Sequence, residues 1–373
     1  MRVAFYAPLK SPTHGTPSGD RRVAGLLMDA LALAGHRVEL VSSFRSYDRD
    51  GDALRQEALR AQGEALGGRL AAQWRAAPPE ERPEVWFTYH VYYKAPDWLG
   101  PLAAEALGIP YVVAEASYAP KRAGGPWAIG HEATAHALRR AALVLCPSRD
   151  DLSCLEPLVA KERLELLAPF LDPAPYRIAA GERDAHRSRL AGQHSLDKNV
   201  PWIAVAAMMR EGDKLASYRL LAGTLGRLGA LPWRLLVAGD GPARAAVEAA
   251  FKGLAEKVRF LGSLKERPLA ELYAAADLYA WPAVNEAYGM ALLEAQAAGL
   301  PVVSCALRGV PDVVLDGRTG LLAPALEEPA LAERVRALLV DAARRQALGR
   351  EAARFVAEER SLAVAARRLE SLP

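Results

Sequence analysis

Charge of one sign is missing. The chain carries 47 Lys and Arg against 44 Asp and Glu, a formal net charge of +3 over 373 residues. A nucleic-acid binder would show a basic patch or stripe, and a balance this close gives no global argument for one. Cysteine is scarce. Cys146, Cys154 and Cys305 are too few and scattered for a disulfide framework and form no C-x-x-C pair. A reducing compartment, the cytoplasm, is therefore expected. Long apolar runs are missing too: the longest is about eight residues, Trp202 to Met209, against ~20 for a spanning helix. Only five apolar residues separate Arg2 from Pro8, less than the apolar core of a secretory signal. Membrane contact is thereby limited to a peripheral one, at the inner face. No short repeat and no low-complexity tail is present. Residues 48–52, Asp-Arg-Asp-Gly-Asp, do not open an EF-hand loop, because Ala53 and Leu59 replace the required Gly and Glu.

What is there belongs to a globular protein: 51% hydrophobic and 24% charged residues. At ~150 residues per domain, two domains are expected. The chain opens with a strand-length apolar run, 2–7. A polar loop follows, and then Val23, Leu26, Leu27, Ala30, Leu31 and Ala34 recur at the helical period. Asp20 can cap that helix and Gly35 can end it. The next strand is 36–42, and strand-helix-strand in this order implies a parallel sheet with right-handed crossovers. Further strands are read at 84–91, 109–117 and 141–148, with a helix over 97–108 and Ser148 and Asp151 as caps for another. Residues 168–200, rich in Pro, Gly and charge, read as a connection plus a short helix. A second α/β series follows, with strands at 202–209, 233–240, 257–262, 276–283, 300–305 and 319–324. The last ~45 residues read as Ala-, Arg- and Glu-rich helix.

The most informative stretch is 277–322. It holds Asp277, Pro282 and Glu286, then after seven residues Glu294-Ala295. Ala298-Gly299-Leu300-Pro301-Val302-Val303, Gly309 and Asp316-Gly317-Arg318-Thr319-Gly320 follow. This order resembles the donor-binding signature of glycosyltransferase family four, the group-one retaining enzymes of GT-B fold. The blocks "LLVAGDGPARAAVE" and "VRFLGSL" upstream fit the same family. The resemblance covers roughly 200–325 well and 1–170 more loosely. It implies two Rossmann-like α/β domains with a cleft between them. Residues 1–172 would bind acceptor and 173–359 the nucleotide-sugar donor, with a C-terminal helix, 360–373, crossing back to the first domain.

The residues have a physical reading beside the resemblance. A diphosphate suits a helix N-terminus, where free N–H groups and the dipole attract negative charge. "EAYGMALLEAQAAG" places such a start near Tyr288, Gly289 and Met290. A carboxylate can accept two hydrogen bonds from a vicinal diol. The resemblance gives Glu294 the ribose hydroxyls and Glu286 the hexose hydroxyls; on spacing alone both read equally as solvated helix glutamates. Arg210 and Lys214 follow the first strand of the second domain, where α/β proteins bind ligands. In the family an Arg and a Lys there grip the diphosphate. The family's Arg follows a Gly, and that place here is Met208, so Arg210 would act from a shifted position. Gly239 and Gly241 mark a tight strand-to-helix turn, without the third Gly of a dinucleotide fingerprint. By the resemblance that turn lies near the nucleotide, Leu264 against the base and Gly19 in a loop over the phosphates.

In the first domain, many relatives carry a His where this chain has Ala116, between Glu115 and Ser117. His90 ends the preceding strand and reads either as a substitute or as a packed histidine. Lys121 and Arg122, before Gly124-Gly125, read as a mobile basic loop that could meet a phosphate, or as solvated charge. Aromatic residues crowd 86–127, and their rings suit sugar faces as well as a core.

The expected activity is retaining transfer of a hexose from a nucleoside diphosphate sugar, of UDP or GDP type, to a hydroxyl of a glycan, lipid-linked or small-molecule acceptor. Polysaccharide biosynthesis is the expected setting. No cofactor and no metal are expected, since 48–52 lacks the context of a metal-binding D-x-D. The alternatives are another GT-B enzyme, such as a nucleotide-sugar epimerase, and a catalytically silent GT-B module that binds a glycan or partner.

Overall fold

The computed structural model describes residues 1–16 and 18–373. Pro17, in the loop before Gly19, lies outside the described residues. The chain forms two compact units, Met1–Ala168 with Leu362–Pro373, and Pro169–Ser361.

Unit 1 runs β1 (Arg2–Tyr6), α1 (Gly19–Leu33), β2 (Arg37–Ser42), α2 (Ala53–Ala76), β3 (Val85–Val91), α3 (Gly100–Leu107), β4 (Tyr111–Ala116), α4 (Ala128–Arg140), β5 (Leu143–Cys146), α5 (Arg149–Leu155) and β6 (Leu164–Leu166). Its six strands are parallel, in the order β2-β1-β3-β4-β5-β6. Unit 2 runs α6 (Ala174–Gly181), α7 (Arg183–His194), β7 (Trp202–Ala206), α8 (Asp213–Gly226), β8 (Arg234–Ala238), α9 (Arg244–Ala250), β9 (Val258–Gly262), α10 (Glu266–Ala275), β10 (Leu278–Ala280), α11 (Met290–Ala297), β11 (Val302–Cys305), α12 (Val310–Val313), β12 (Gly320–Ala323), α13 (Glu328–Val340) and α14 (Ala342–Glu359). Its six strands, again parallel, are ordered β12-β11-β10-β7-β8-β9. Strands covered on both faces must be apolar almost throughout. That is why each strand reads as a short apolar run, and why β3, β5, β11 and β12 are buried nearly end to end.

The last helix, α15 (Leu362–Leu369), belongs to unit 1. It packs on α1 through Ala365, Ala366 and Leu369. His36 Nε2 donates to Leu369 O at 2.7 Å. This is the returning helix the resemblance implies.

Local details add to or depart from the sequence reading in four places. The cap of α1 is Ser18, whose hydroxyl accepts from the Arg21 amide, and Asp20 is the second residue of the first turn. A cap needs extended backbone, and Ser18 has it. Residues 168–200 hold two helices, α6 and α7, and Arg183 and Arg187 of α7 both pair with Asp277. The whole of 53–76, which the periodicity passes over, is the longest helix of unit 1. Its inner face is Gly63, Gly67 and Ala71 with Trp74 and Gln56. A Cβ on Gly63 would come within 2.4 Å of Trp98, so small residues set the approach. Residues 48–52, rejected as an EF-hand loop, have a structural part: buried Asp48 accepts from the amides of Asp50 and Gly51, and Asp52 caps α2.

Strand order positions the chemistry. In unit 1 the chain leaves β1 toward β2 on one side, and β3 toward β4 on the other. In unit 2, β7 and β10 diverge in the same way. Where neighbouring parallel strands send their loops to opposite faces, a crevice opens at their carboxyl ends.

Candidate functional site

At the unit 2 switch point, Lys214 lies in the first turn of α8 and Glu286 in the loop from β10 to α11. Lys214 Nζ donates to Glu286 Oε2, and both side chains are only about a quarter exposed, 27% and 23%. The β10 loop is stitched to α8: Asn285 Nδ2 donates to Asp213 Oδ2 at 2.9 Å, and the Val284 amide donates to Ser217 Oγ at 3.0 Å. Ala283 and Asn285 are held at φ 58° and 52°. Non-glycine residues adopt this region only where the surroundings over-determine it, and such strain gathers at functional sites.

The loop ends at Gly289, φ 73°, which caps α11; no side chain caps that helix. Its first amides are the unpartnered donors of any helix start. Met290 is the first residue of α11 and Tyr288 is buried just before it. Glu294 is buried within α11, 5% exposed, and Tyr273 Oη donates to its Oε2 at 3.4 Å. It is no solvated helix glutamate. Arg210 is exposed on the loop after β7 and has no side-chain hydrogen bond or ion pair to a described residue. Leu264 is half-buried in the loop after β9.

Gly239 and Gly241 do something the sequence did not reveal. Their φ values are 148° and 150°. A Cβ on them would lie 2.0 Å from Ala207 O and 2.3 Å from Met209 O. The Met209 amide donates to Asp240 O, and the Ala243 amide to Met209 O. The G-x-G turn is thus the clamp on the loop that carries Arg210.

At the unit 1 switch point, His90 Nδ1 lies 3.2 Å from Asp20 Oδ1 and 3.6 Å from Glu115 Oε1. Burial disfavours the imidazolium, but Glu115 and Asp20 outweigh it and raise the His90 pKa above 6.5. Burial likewise opposes charge on Asp20, yet the His90 contacts hold its pKa below the ordinary value. Sequence reasoning considered Asp20 only as a cap or loop residue. Gly19 is the first residue of α1 and its missing Cβ faces open space.

Ser117 is exposed just past β4. Lys121 and Arg122 sit in the 3-10 turn Pro120–Arg122. The Arg122 guanidinium lies 5.3 Å from the Tyr93 ring centroid and 5.4 Å from that of Trp127. Arg122 is therefore seated on rings rather than carried on a free loop. Among the crowded aromatics, Trp86, Phe87, Tyr89, Trp98 and Tyr111 are buried, while Tyr92, Tyr93, Tyr118 and Trp127 stay partly exposed.

Among the described residues, no group of His, Cys, Asp and Glu is placed to hold a metal ion, and no helix is long and apolar enough to cross a membrane.

Residues 203–341 match the family model described as Glycosyl transferases group 1. The D-inositol 3-phosphate glycosyltransferase of Corynebacterium aurimucosum is 42% identical over 120 residues, 32% of this chain and 28% of that one. The alpha-D-kanosaminyltransferase of Streptomyces kanamyceticus is 29% identical over 242 residues, 64% of this chain and 61% of that one. The match spans less than two thirds of either relative. Among solved structures, Anabaena HepE in complex with UDP superposes at a TM-score of 0.75 and 16% identity, covering 99% of this chain and 98% of that one. The fold, two parallel six-stranded sheets flanked by helices, is that of the GT-B structures.

Proposed function

We propose that this chain, whose residues 203–341 belong to the group 1 glycosyl transferases, moves a hexose from a nucleoside diphosphate sugar to a hydroxyl of a glycan, lipid-linked or small-molecule acceptor, with retention at the anomeric carbon. The observation that carries this reading is the meeting of Lys214, Glu286 and the uncapped start of α11 at the unit 2 switch point. A diphosphate satisfies two of the three: it takes the lysine's charge and the helix's free amides. Once it draws Lys214 away, Glu286 is free to accept from hexose hydroxyls. Glu294, buried about one turn into α11, is the carboxylate for the ribose diol. Arg210, without a partner of its own, adds charge to the diphosphate from the loop clamped by Gly239 and Gly241.

The chemistry follows from those contacts. As the anomeric C–O bond breaks, negative charge grows on the leaving diphosphate. Lys214, Arg210 and the α11 amides are positive groups already aimed at it, which lowers the barrier without reorganisation. The acceptor oxygen bonds the anomeric carbon on the face the diphosphate leaves, and its proton passes to a departing phosphate oxygen. Charge neutralisation by side chains removes the need for a metal ion.

A thermal-shift panel of UDP, GDP and ADP with their sugars tests the reading, since a ligand that binds only the folded chain raises Tm. One nucleotide series is expected to raise Tm, and its sugar form to be hydrolysed slowly by the pure protein. No shift with any nucleotide, and no hydrolysis, would overturn it.

A further inference from the structure

The sheet of unit 1 ends on β2, which pairs with β1 alone. The Arg37 amide donates to Met1 O at 2.8 Å, so the backbone groups of Arg37 and Glu39 point inward to β1. Those of the alternate residues, Val38 and Leu40, point outward, and no described segment bonds to them. An open edge is a template for a further strand, and folded proteins blunt it with prolines, bulges or repelling charges. β2 has no proline, and its register shift comes only after Leu40. Its two charges are of opposite sign. Arg37 and Glu39 are exposed, two residues apart on one face, and neither side chain has a hydrogen bond or ion pair to a described residue. Both line a shallow hollow beside the edge, together with Val41, Trp74, Arg2 and Glu81. The face of β2 that carries them is therefore open as well as its backbone.

We propose that β2 is the docking edge for a second copy of this chain, the two β2 strands pairing antiparallel about a two-fold axis at Val38. A two-fold contact brings the same surface together from both sides, so the surface must be complementary to itself. The β2 edge is. With the axis at Val38, the outward amide and carbonyl of each Val38 bond to those of the other. Arg37 of one copy then faces Glu39 of the other, and this happens twice. Those are the non-hydrogen-bonded positions, where facing side chains approach most closely. With the axis at Leu40, Glu39 would face Val41 instead and the charge match would be lost. The six strands of each unit 1 thereby run on into one continuous sheet.

Charges on an edge strand commonly serve to keep partners away. Two charges of one sign would do that here, because each would meet its like on a second copy. Opposite signs at positions 37 and 39 do the reverse in the register that the free backbone groups select. The contact is short, so it belongs with small interfaces and gives a weak, reversible dimer. It is independent of the glycosyl-transfer reading. Arg37 opens β2, so the docking charges lie at the amino end of the strand, away from the crevice at the carboxyl ends.

Sedimentation equilibrium of the full chain over a rising concentration series tests the pairing. The unaltered chain is expected to show a monomer–dimer equilibrium. Arg37→Glu alone, or Glu39→Arg alone, turns both cross-strand pairs into like charges, and each should weaken the dimer about tenfold. Mixed in equal amounts, the two single variants should recover the dimer, because every acidic side chain then faces a basic one. The double variant carrying both changes should recover it too. Val38→Pro removes an outward donor that the sheet of one chain does not use, and should leave a monomer. Should that variant fail to fold, the mixing experiment decides by itself. A chain that stays monomeric at every concentration has charges that only protect the edge. A dimer that survives both single charge reversals uses another surface. Either result overturns the proposal.

Discussion

Replacing Glu286 by Gln leaves Lys214 without the carboxylate it holds at the unit 2 switch point. A diphosphate that takes Lys214 must first break that pair, so the pair opposes nucleotide binding while its glutamate waits for the sugar. The side chains are 27% and 23% exposed, so after screening the pair is worth about 0.5–1 kcal/mol. At 1.4 kcal/mol per decade that is roughly a two- to fivefold effect on Kd. The sign is the unusual part: Glu286→Gln should bind the free nucleoside diphosphate two- to fivefold tighter. Lys214→Ala removes a charge-assisted hydrogen bond worth about 1.5–3 kcal/mol, and should weaken it by roughly 10–150-fold.

Isothermal titration with the nucleoside diphosphate that gives the largest thermal shift measures both. With the nucleotide sugar, Glu286→Gln should lose its advantage, and kcat should fall because the hexose contact is gone. High salt should shrink the gain, as screening weakens the pair that opposes binding. The reasoning fails if Glu286→Gln weakens the free nucleotide as much as Lys214→Ala does.

Three further outcomes follow from the geometry. Gly212 and Gly241 both have positive φ, but only Gly241 would press a Cβ onto a backbone carbonyl; Gly212→Ala should cost about 1–2 kcal/mol in strain and Gly241→Ala about 2–5 kcal/mol once overpacking is added, with weaker nucleotide binding, and equal urea midpoints would refute the clamp. A chain ending at Glu359 loses α15 and the His36–Leu369 bond, and calorimetry should show unit 1 melting earlier while the unit 2 transition stays put. Burial pushes the Cys146 thiol up to about 12 and that of Cys305 up to about 11, whereas Cys154 is exposed; iodoacetamide near neutral pH should therefore label Cys154 alone in the native chain, as read by mass spectrometry.

Most strands of both units were legible because a parallel strand must be apolar on two faces, and an apolar run is a one-dimensional signal. The helix α2 was not, because its inner face is made of Gly63, Gly67 and Ala71. Closeness of approach, rather than apolar bulk, holds it, and periodicity searches weigh bulk. The donor-side residues were legible as neighbours in a motif, but the Lys214–Glu286 pair spans 72 positions and exists only through the strand order that brings β7 beside β10. Backbone strain divides along the same line. Positive φ at glycines such as Gly35, Gly108 and Gly289 can be guessed from residue type. Among the described residues six non-glycines share it, and four of them, His90, Glu115, Ala283 and Asn285, lie on strand ends or loops at the two switch points. Nothing in the letters His, Glu, Ala or Asn announces a left-handed backbone here. It is imposed by neighbours distant in sequence: Ser217 and Asp213 on the β10 loop, and the β3–β4 pairing on the His90 edge. Sequence therefore finds groups whose chemistry is local. Sequence names His90 as a candidate and Asp20 as a cap, but that Asp20 and Glu115 lie against the His90 ring emerges only once the strands are ordered.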